Sequence, residues 1–214
     1  FEDSKKVMHE GVPMSWMAKW PGAHPVFVKE AKGARFTDID GHTYVDFCLG
    51  DTGSMTGHSP DATVAAVREQ VGKGITAMLP TTDAAIVSGL LRDRFGLPLW
   101  QFTVSATDAN RHVIRYSRMI TGRSKIIVID RCYHGSVDET FATLDAAGNT
   151  VKREGNIGAP VDLSETTRVV EFNNLAAMEA ALAHGDVAAI LMEPAMTNIG
   201  IVLPEKGYLE GVGK

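Results

Sequence analysis

The chain has 214 residues, 44% of them hydrophobic and 22% charged, with a formal net charge of −5. That is the composition of a soluble globular protein of about one large domain, and its acidic balance argues against a nucleic-acid surface, which needs a basic patch. No apolar run reaches bilayer length, FEDSKK is unlike a signal peptide, and the two cysteines and seven histidines show neither disulfide nor metal-ligand spacing, so the expectations are a reducing cytoplasm, no membrane and no metal.

Trp16, Met17 and Trp20 fall where one apolar face is expected, and Pro21, Gly22 and Pro25 then break the chain. Short strands are predicted over Val26 to Lys29, Ala34 to Asp38 and Thr43 to Phe47. Asp40-Gly41 marks a hairpin between the last two. Together they read as a small β-meander. Leu49 to Ser59, LGDTGSMTGHS, is either a linker or a loop lining a pocket. Asp61 is expected to cap a helix that buries Val64, Val67 and Val71. A second helix follows Thr81 to Asp83 and ends before Gly96.

From Leu97 onward strands and helices alternate. Leu97 to Val104 reads as a strand and Thr107 to Ile120 as a helix with Val113, Ser117 and Ile120, beside Ile114 and Met119, at helical spacing. KIIVI (Lys125 to Ile129), RVVEF (Arg168 to Phe172) and VAAILM (Val187 to Met192) are continuous apolar runs of buried-strand length. Asn174 caps a helix closed by Gly185. Asp145 to Thr167 has no period and is expected to be a surface excursion. Alternation of this kind predicts an α/β fold with a mostly parallel sheet. The expected division is 1–59 for the N-terminal segment and 60–214 for part of a large domain.

In an open parallel sheet, ligands bind beyond the C-terminal strand ends. Those ends carry Ser105-Ala106-Thr107-Asp108, then Arg131-Cys132-Tyr133-His134-Gly135, then Glu193-Pro194 with Asn198. A strand feeding a helix through a hydroxyl-rich turn leaves N–H groups for an anion, most often phosphate. The same turn also suits an ordinary helix cap. Tyr133 offers a stacking face, and Glu193 and Asn198 offer a carboxylate and an amide. The set suits a planar, phosphorylated heteroaromatic ligand.

SATDANRHVIRYSRMITGRSKIIVIDRCYHG resembles the S-G-T-E-A-N, T-G-R-x-K-I and Y-H-G series of the class III, fold-type I pyridoxal-phosphate aminotransferases. MEPAMTNIGIVLPEKGYLEGV resembles their E-P-x-x-x-N-x-G segment. FTDIDGHTYVDF with Gly57-His58-Ser59-Pro60 resembles their N-terminal motifs. The match covers about residues 22 to 212 and is nearest the glutamate-1-semialdehyde aminomutase-like branch.

The resemblance implies the three-layer large domain of fold type I, with the meander belonging to a small domain. It implies pyridoxal 5′-phosphate as cofactor, a small-molecule amine or amino acid and a keto acid as substrates, and a homodimer. Ser105, Ala106 and Thr107 match its phosphate turn, with Ala106 where glycine is usual and Asp108 where Glu is usual. Tyr133 matches the aromatic stacked on the pyridine ring and His134 its neighbour. Glu193 matches the Glu of E-P, and Asn198 the Asn near the ring hydroxyl. Asp51 falls where the branch carries an aromatic; it faces the substrate or is a solvated loop carboxylate. The branch's arginine for a substrate carboxylate has Phe27 in its place, which argues against the aminomutase reaction. The resemblance places the Schiff-base lysine and the pyridinium carboxylate beyond Lys214, so the sequence reads as incomplete. A catalytically silent binder of a phosphorylated ligand is the reading outside the enzymes.

Overall fold

A computed structural model describes residues 1–19 and 22–214; Trp20 and Pro21, part of the expected N-terminal apolar face and break, lie outside them. Two units divide the chain, Phe1–Ala84 and Ala85–Lys214.

The first unit opens with a short helix α1 (Glu2–Lys5) and two 3₁₀ turns, His9–Gly11 and Ser15–Lys19. An antiparallel sheet of β1 (Val28–Lys32), β2 (Arg35–Asp38) and β3 (Thr43–Val45) follows, in that order. The meander is therefore present, with β1 starting two residues later than the sequence pattern suggests. Asp38 closes the hairpin. Its Oδ1 accepts the Asp40 and His42 N–H groups at 3.0 and 2.8 Å, and its Oδ2 accepts the Tyr44 hydroxyl at 2.9 Å and lies 3.1 Å from His42 Nδ1. Burial pushes this carboxyl up, but those donors outweigh it and hold it at about 2, against an ordinary 3.8. A carboxyl lowered in this way stabilises the fold fully above its unfolded value and loses that contribution as pH falls through its folded one. Asp38→Asn should therefore flatten the acid limb of a denaturation-versus-pH curve between 3.8 and about 2. An unchanged limb would dissociate the hairpin from acid unfolding.

α2 (Asp61–Val71) does not use Asp61 as its cap. Pro60 occupies that position, and the Asp61 carboxylate instead pairs with Lys32. Its expected apolar face is open at Val67 and Val71. The division between units falls within α3 (Thr82–Phe95).

The second unit is built on a parallel sheet, β7 (Thr167–Val170), β4 (Lys125–Ile129) and β8 (Val187–Leu191), with β4 central. Ile126 to Ile129 are fully buried. Residues buried on both sides of a strand must be apolar at consecutive positions, which is why KIIVI has no alternation. α4 (Ala106–Thr121) packs on β8. α6 (Leu175–Leu182) is capped by Asn174, whose Oδ1 accepts the Ala177 N–H at 2.9 Å. α7 (Tyr208–Val212) packs on α6, with Tyr208 buried edge-on against Phe172.

Three expectations change here. Leu97 to Val104 is not a strand: it pairs with no neighbour, and Leu99 and Val104 are 87% and 97% exposed. A strand exists only through a partner's backbone, and none lies beside this segment among the described residues. The region from Asp145 to Thr167 is only partly irregular. β5 (Ala142–Leu144) and β6 (Thr150–Lys152) form a hairpin across it, and α5 (Leu163–Thr166) buries Leu163. The buried face of α4 is mostly polar: Ile114 is buried, whereas Val113, Met119 and Ile120 face outward.

Candidate cofactor site

α4 begins where the sequence places the turn. Ser105 is its N-cap, in extended conformation, and its Oγ accepts the Asp108 N–H at 3.2 Å. The Ser105 carbonyl takes the Ala109 N–H at 3.0 Å. The N–H groups of Ala106 and Thr107 meet no acceptor among the described residues. A 16-residue helix with two open N–H groups at its start carries a partial positive charge there, the arrangement that holds phosphate. Ser105→Ala should remove the cap and cost about 1 kcal/mol, read by chemical denaturation; no loss would mean that the helix end is held by its neighbours alone.

Those neighbours are the loop after β4. Thr107, Asn110 and Arg111 fall three and four residues apart, hence on one side of α4. All three bind that loop: the Ser136 N–H donates to Thr107 Oγ1 at 2.9 Å, Asn110 Nδ2 donates to the His134 carbonyl at 2.9 Å, and Arg111 donates to the Ser136 carbonyl at 3.3 Å. Gly135 lies between them with φ +79°, and a Cβ there would sit 2.2 Å from Thr107 Oγ1. The close approach fixes Tyr133 and His134 beside the helix start. Tyr133 is 54% exposed.

His134 is buried, and burial lowers its pKa; the Glu193 carboxylate and the Leu191 carbonyl oppose that, and Arg153 adds to it. A histidine lowered in this way is neutral at neutral pH, and the stability it lends fades as pH drops through the ordinary value of 6.5. Its Nε2 and Glu193 Oε2 are both buried without a partner, while Glu193 Oε1 accepts the Thr197 hydroxyl at 2.6 Å. The strand ends after β4 and β8 thus converge. Asn198 is exposed on the 196–202 loop, closed by the Met196–Val202 pairing, and shares no side-chain hydrogen bond with the other candidates among the described residues.

Sequence reasoning passed over Asn110 and Arg153. Asn110 had a signal, as the last residue of the quoted S-A-T-D-A-N run. Arg153 had none, because it lies in the segment without period; its Nη2 donates to the Cys132 carbonyl at 2.6 Å. Burial raises the Cys132 thiol to about 11, so it is no nucleophile. Asp38, Asp40 and His42 bring ligand atoms within 4.8 Å of one another, but both Asp38 oxygens are already engaged in the hairpin.

The profile of the family described as Aminotransferase class-III matches residues 16–214. The chain belongs to the class-III aminotransferase family. It is 33% identical over 213 residues to a glutamate-1-semialdehyde 2,1-aminomutase of Methanothrix thermoacetophila, covering 99% of this chain and 49% of that protein. Among solved structures, a glutamate-1-semialdehyde-aminomutase from Pseudomonas aeruginosa PAO1 superposes with a TM-score of 0.96 at 52% identity, covering 100% of this chain and 47% of that one. An omega-transaminase from Sphaerobacter thermophilus superposes at 0.87 and 27% identity, covering 98% and 50%. The chain spans about half the length of the relatives it matches. These neighbours are fold-type I enzymes, so the α/β architecture with a parallel sheet is that of the family.

Pyridoxal phosphate is the cofactor of this family. The residues present fit it. The open N–H pair at Ala106 and Thr107 suits a phosphate, the exposed Tyr133 suits a ring, and the buried unpartnered Nε2 and carboxylate oxygen leave polar capacity beside it.

Proposed function

We propose that this protein is a pyridoxal-phosphate-dependent aminotransferase that moves an amino group from an amine or amino acid to a keto acid or aldehyde. The observation that supports it most is the junction at Gly135, where a helix start with open N–H groups is fastened to the loop that carries Tyr133. When bound, the cofactor supplies an electron sink for the carbon that bears the amino group. In this reading Ser105, Ala106 and Thr107 hold its phosphate, and Tyr133 covers one face of its ring. His134, kept neutral, and Glu193 back the tyrosine, and Asn198 meets the ring hydroxyl. Residues 1–59 belong to a small domain and a pocket loop, and 60–214 to the large one. The protein works as a homodimer in the cytoplasm.

An aminomutase that shifts an amino group within one substrate is the second reading, favoured by the names of the relatives. Phe27, in place of the expected arginine, weighs against it.

Titration of the full-length protein, which in this reading carries the Schiff-base lysine, with pyridoxal phosphate should give an absorbance band at about 400 to 430 nm. The pair Ser105→Ala and Thr107→Val should weaken binding roughly tenfold or more, the worth of a hydrogen bond to a charged group. Undiminished binding would remove the phosphate assignment. An amine supplied with and without a keto acid then separates the two reactions. Product formed only with the acceptor is transamination, and an isomer formed without it is the mutase reaction.

A further inference from the structure

The loop from Cys48 to Ser59 is strained. Leu49, Gly50, Asp51 and Thr52 are four consecutive left-handed residues, with φ of 57°, 55°, 53° and 69°. Non-glycine residues pay a steric cost in that region, where Cβ crowds the following carbonyl oxygen. Leu49 and Thr52 are exposed, so core packing does not explain the cost. Such strain persists where other contacts over-determine it, and it gathers at functional sites.

The contacts here are three side chains in series. His58 Nε2 lies 2.7 Å from Asp46 Oδ2, and His58 Nδ1 lies 3.1 Å from Ser54 Oγ. Asp46 Oδ1 takes the Cys48 and Leu49 N–H groups at 2.8 and 3.0 Å. The His58 hydrogen bond comes first among the effects that hold this carboxyl below its ordinary value, so Asp46 is an ionised acceptor. An acceptor at Nε2 places the imidazole proton there and turns the Nδ1 lone pair toward the Ser54 hydroxyl. The backbone of His58 is pinned as well, exchanging hydrogen bonds with Gly33 at 2.9 and 2.8 Å. Asp46 and His58 are 9% and 20% exposed at their side chains, while Ser54 is half-buried at the loop surface. Gly50 packs on the hydroxyl: a Cβ there would lie 2.9 Å from Ser54 Oγ, so glycine keeps the approach open. The Gly50 N–H has no acceptor among the described residues.

An acid that orients a histidine, which in turn faces a hydroxyl, is the arrangement that activates a serine, recognised by geometry and roles rather than by fold. We propose that Ser54 is an activated nucleophile, with His58 as its base and Asp46 as a positioning residue, and that this second site accepts small activated esters. Ser54 Oγ attacks the ester carbonyl carbon while its proton passes to His58 Nδ1. The bond from carbonyl carbon to alkoxy oxygen breaks, the leaving alcohol takes the proton from His58, and the acyl group stays on Ser54. Water then attacks the acyl carbon, again through His58, releasing the carboxylic acid and restoring the hydroxyl.

Intact wild-type protein treated with a fluorophosphonate should gain one adduct, mapped to Ser54 by peptide mass spectrometry. Ser54→Ala should abolish both the adduct and turnover of p-nitrophenyl acetate. Asp46→Asn should slow both roughly 100-fold, the lower end of what a positioned base supplies, and Asp46→Glu should recover part of the rate. No adduct on the wild-type protein, an adduct elsewhere, or ester turnover that survives Ser54→Ala would overturn the proposal. So would equal rates for Asp46→Asn and wild type.

Discussion

Gly135→Ala should destabilise the second unit by roughly 3–6 kcal/mol and weaken cofactor binding more than tenfold. The first contribution is conformational: Gly135 has φ +79°, where an alanine costs about 1–2 kcal/mol. The second is steric. The new Cβ would lie 2.2 Å from Thr107 Oγ1 and 3.0 Å from Thr107 Cα, so the helix start must move, and overpacking of this kind costs about 1–3 kcal/mol. The third is the Ser136 N–H bond to Thr107 Oγ1, at 2.9 Å, worth about 1 kcal/mol. Gly148 is the control. It has φ +83° and nothing within 4 Å of an added Cβ, so Gly148→Ala isolates the conformational cost alone. Denaturation of both variants, with a pyridoxal-phosphate titration of each, decides the matter. Equal losses would mean that the contact with Thr107 contributes nothing.

That contact also shows what the sequence revealed and what it hid. β4 and β8 were legible because a strand covered on both faces needs apolar residues in a row, and KIIVI and VAAIL have them. The caps Ser105 and Asn174 were legible because capping is local chemistry between residues three apart. The Asp38–Gly41 hairpin was legible for the same reason. Leu97 to Val104 has strand composition, but pairing depends on a neighbour that no local pattern encodes. The inner side of α4 is not legible from apolar spacing because Thr107, Asn110 and Arg118 are half-buried there to bind loop backbone and Glu139, not to fill a core. Apolar periodicity is blind to that kind of burial. Of the candidate site, Tyr133, His134 and Glu193 gather where β4 and β8 end, as open parallel sheets place them, and Thr107 joins them through Gly135 and Ser136 although no strand precedes its turn. Asn198 lies on the exposed 196–202 loop, whose path strand spacing does not determine. The Asp46–His58–Ser54 series went unseen because its members are 12 and 4 residues apart and meet only through the left-handed turn.

Ile127→Ala should cost about 2–5 kcal/mol, whereas Ile127→Val should cost only about 0.5–1.5 kcal/mol. Ile127 is fully buried in the central strand, in register with Arg168 on one side and Ile190 on the other. Cutting it back to Ala leaves a cavity between two flanking strands that are held by their own ladders and cannot close over it. The consequence for the site differs from that of Gly135→Ala. β4 runs directly into Asp130, whose Oδ1 takes the Thr143 hydroxyl at 2.6 Å and the Leu144 N–H at 3.1 Å, and then into the Tyr133 loop. Those bonds lie beyond the cavity and survive it. Folded Ile127→Ala protein should therefore bind pyridoxal phosphate with nearly wild-type affinity while denaturing far earlier. Gly135→Ala should lose affinity even where it is fully folded. Thermal denaturation paired with a cofactor titration well below each midpoint separates the two. A folded Ile127→Ala protein with sharply weakened binding would mean that the site depends on core packing rather than on the α4 junction.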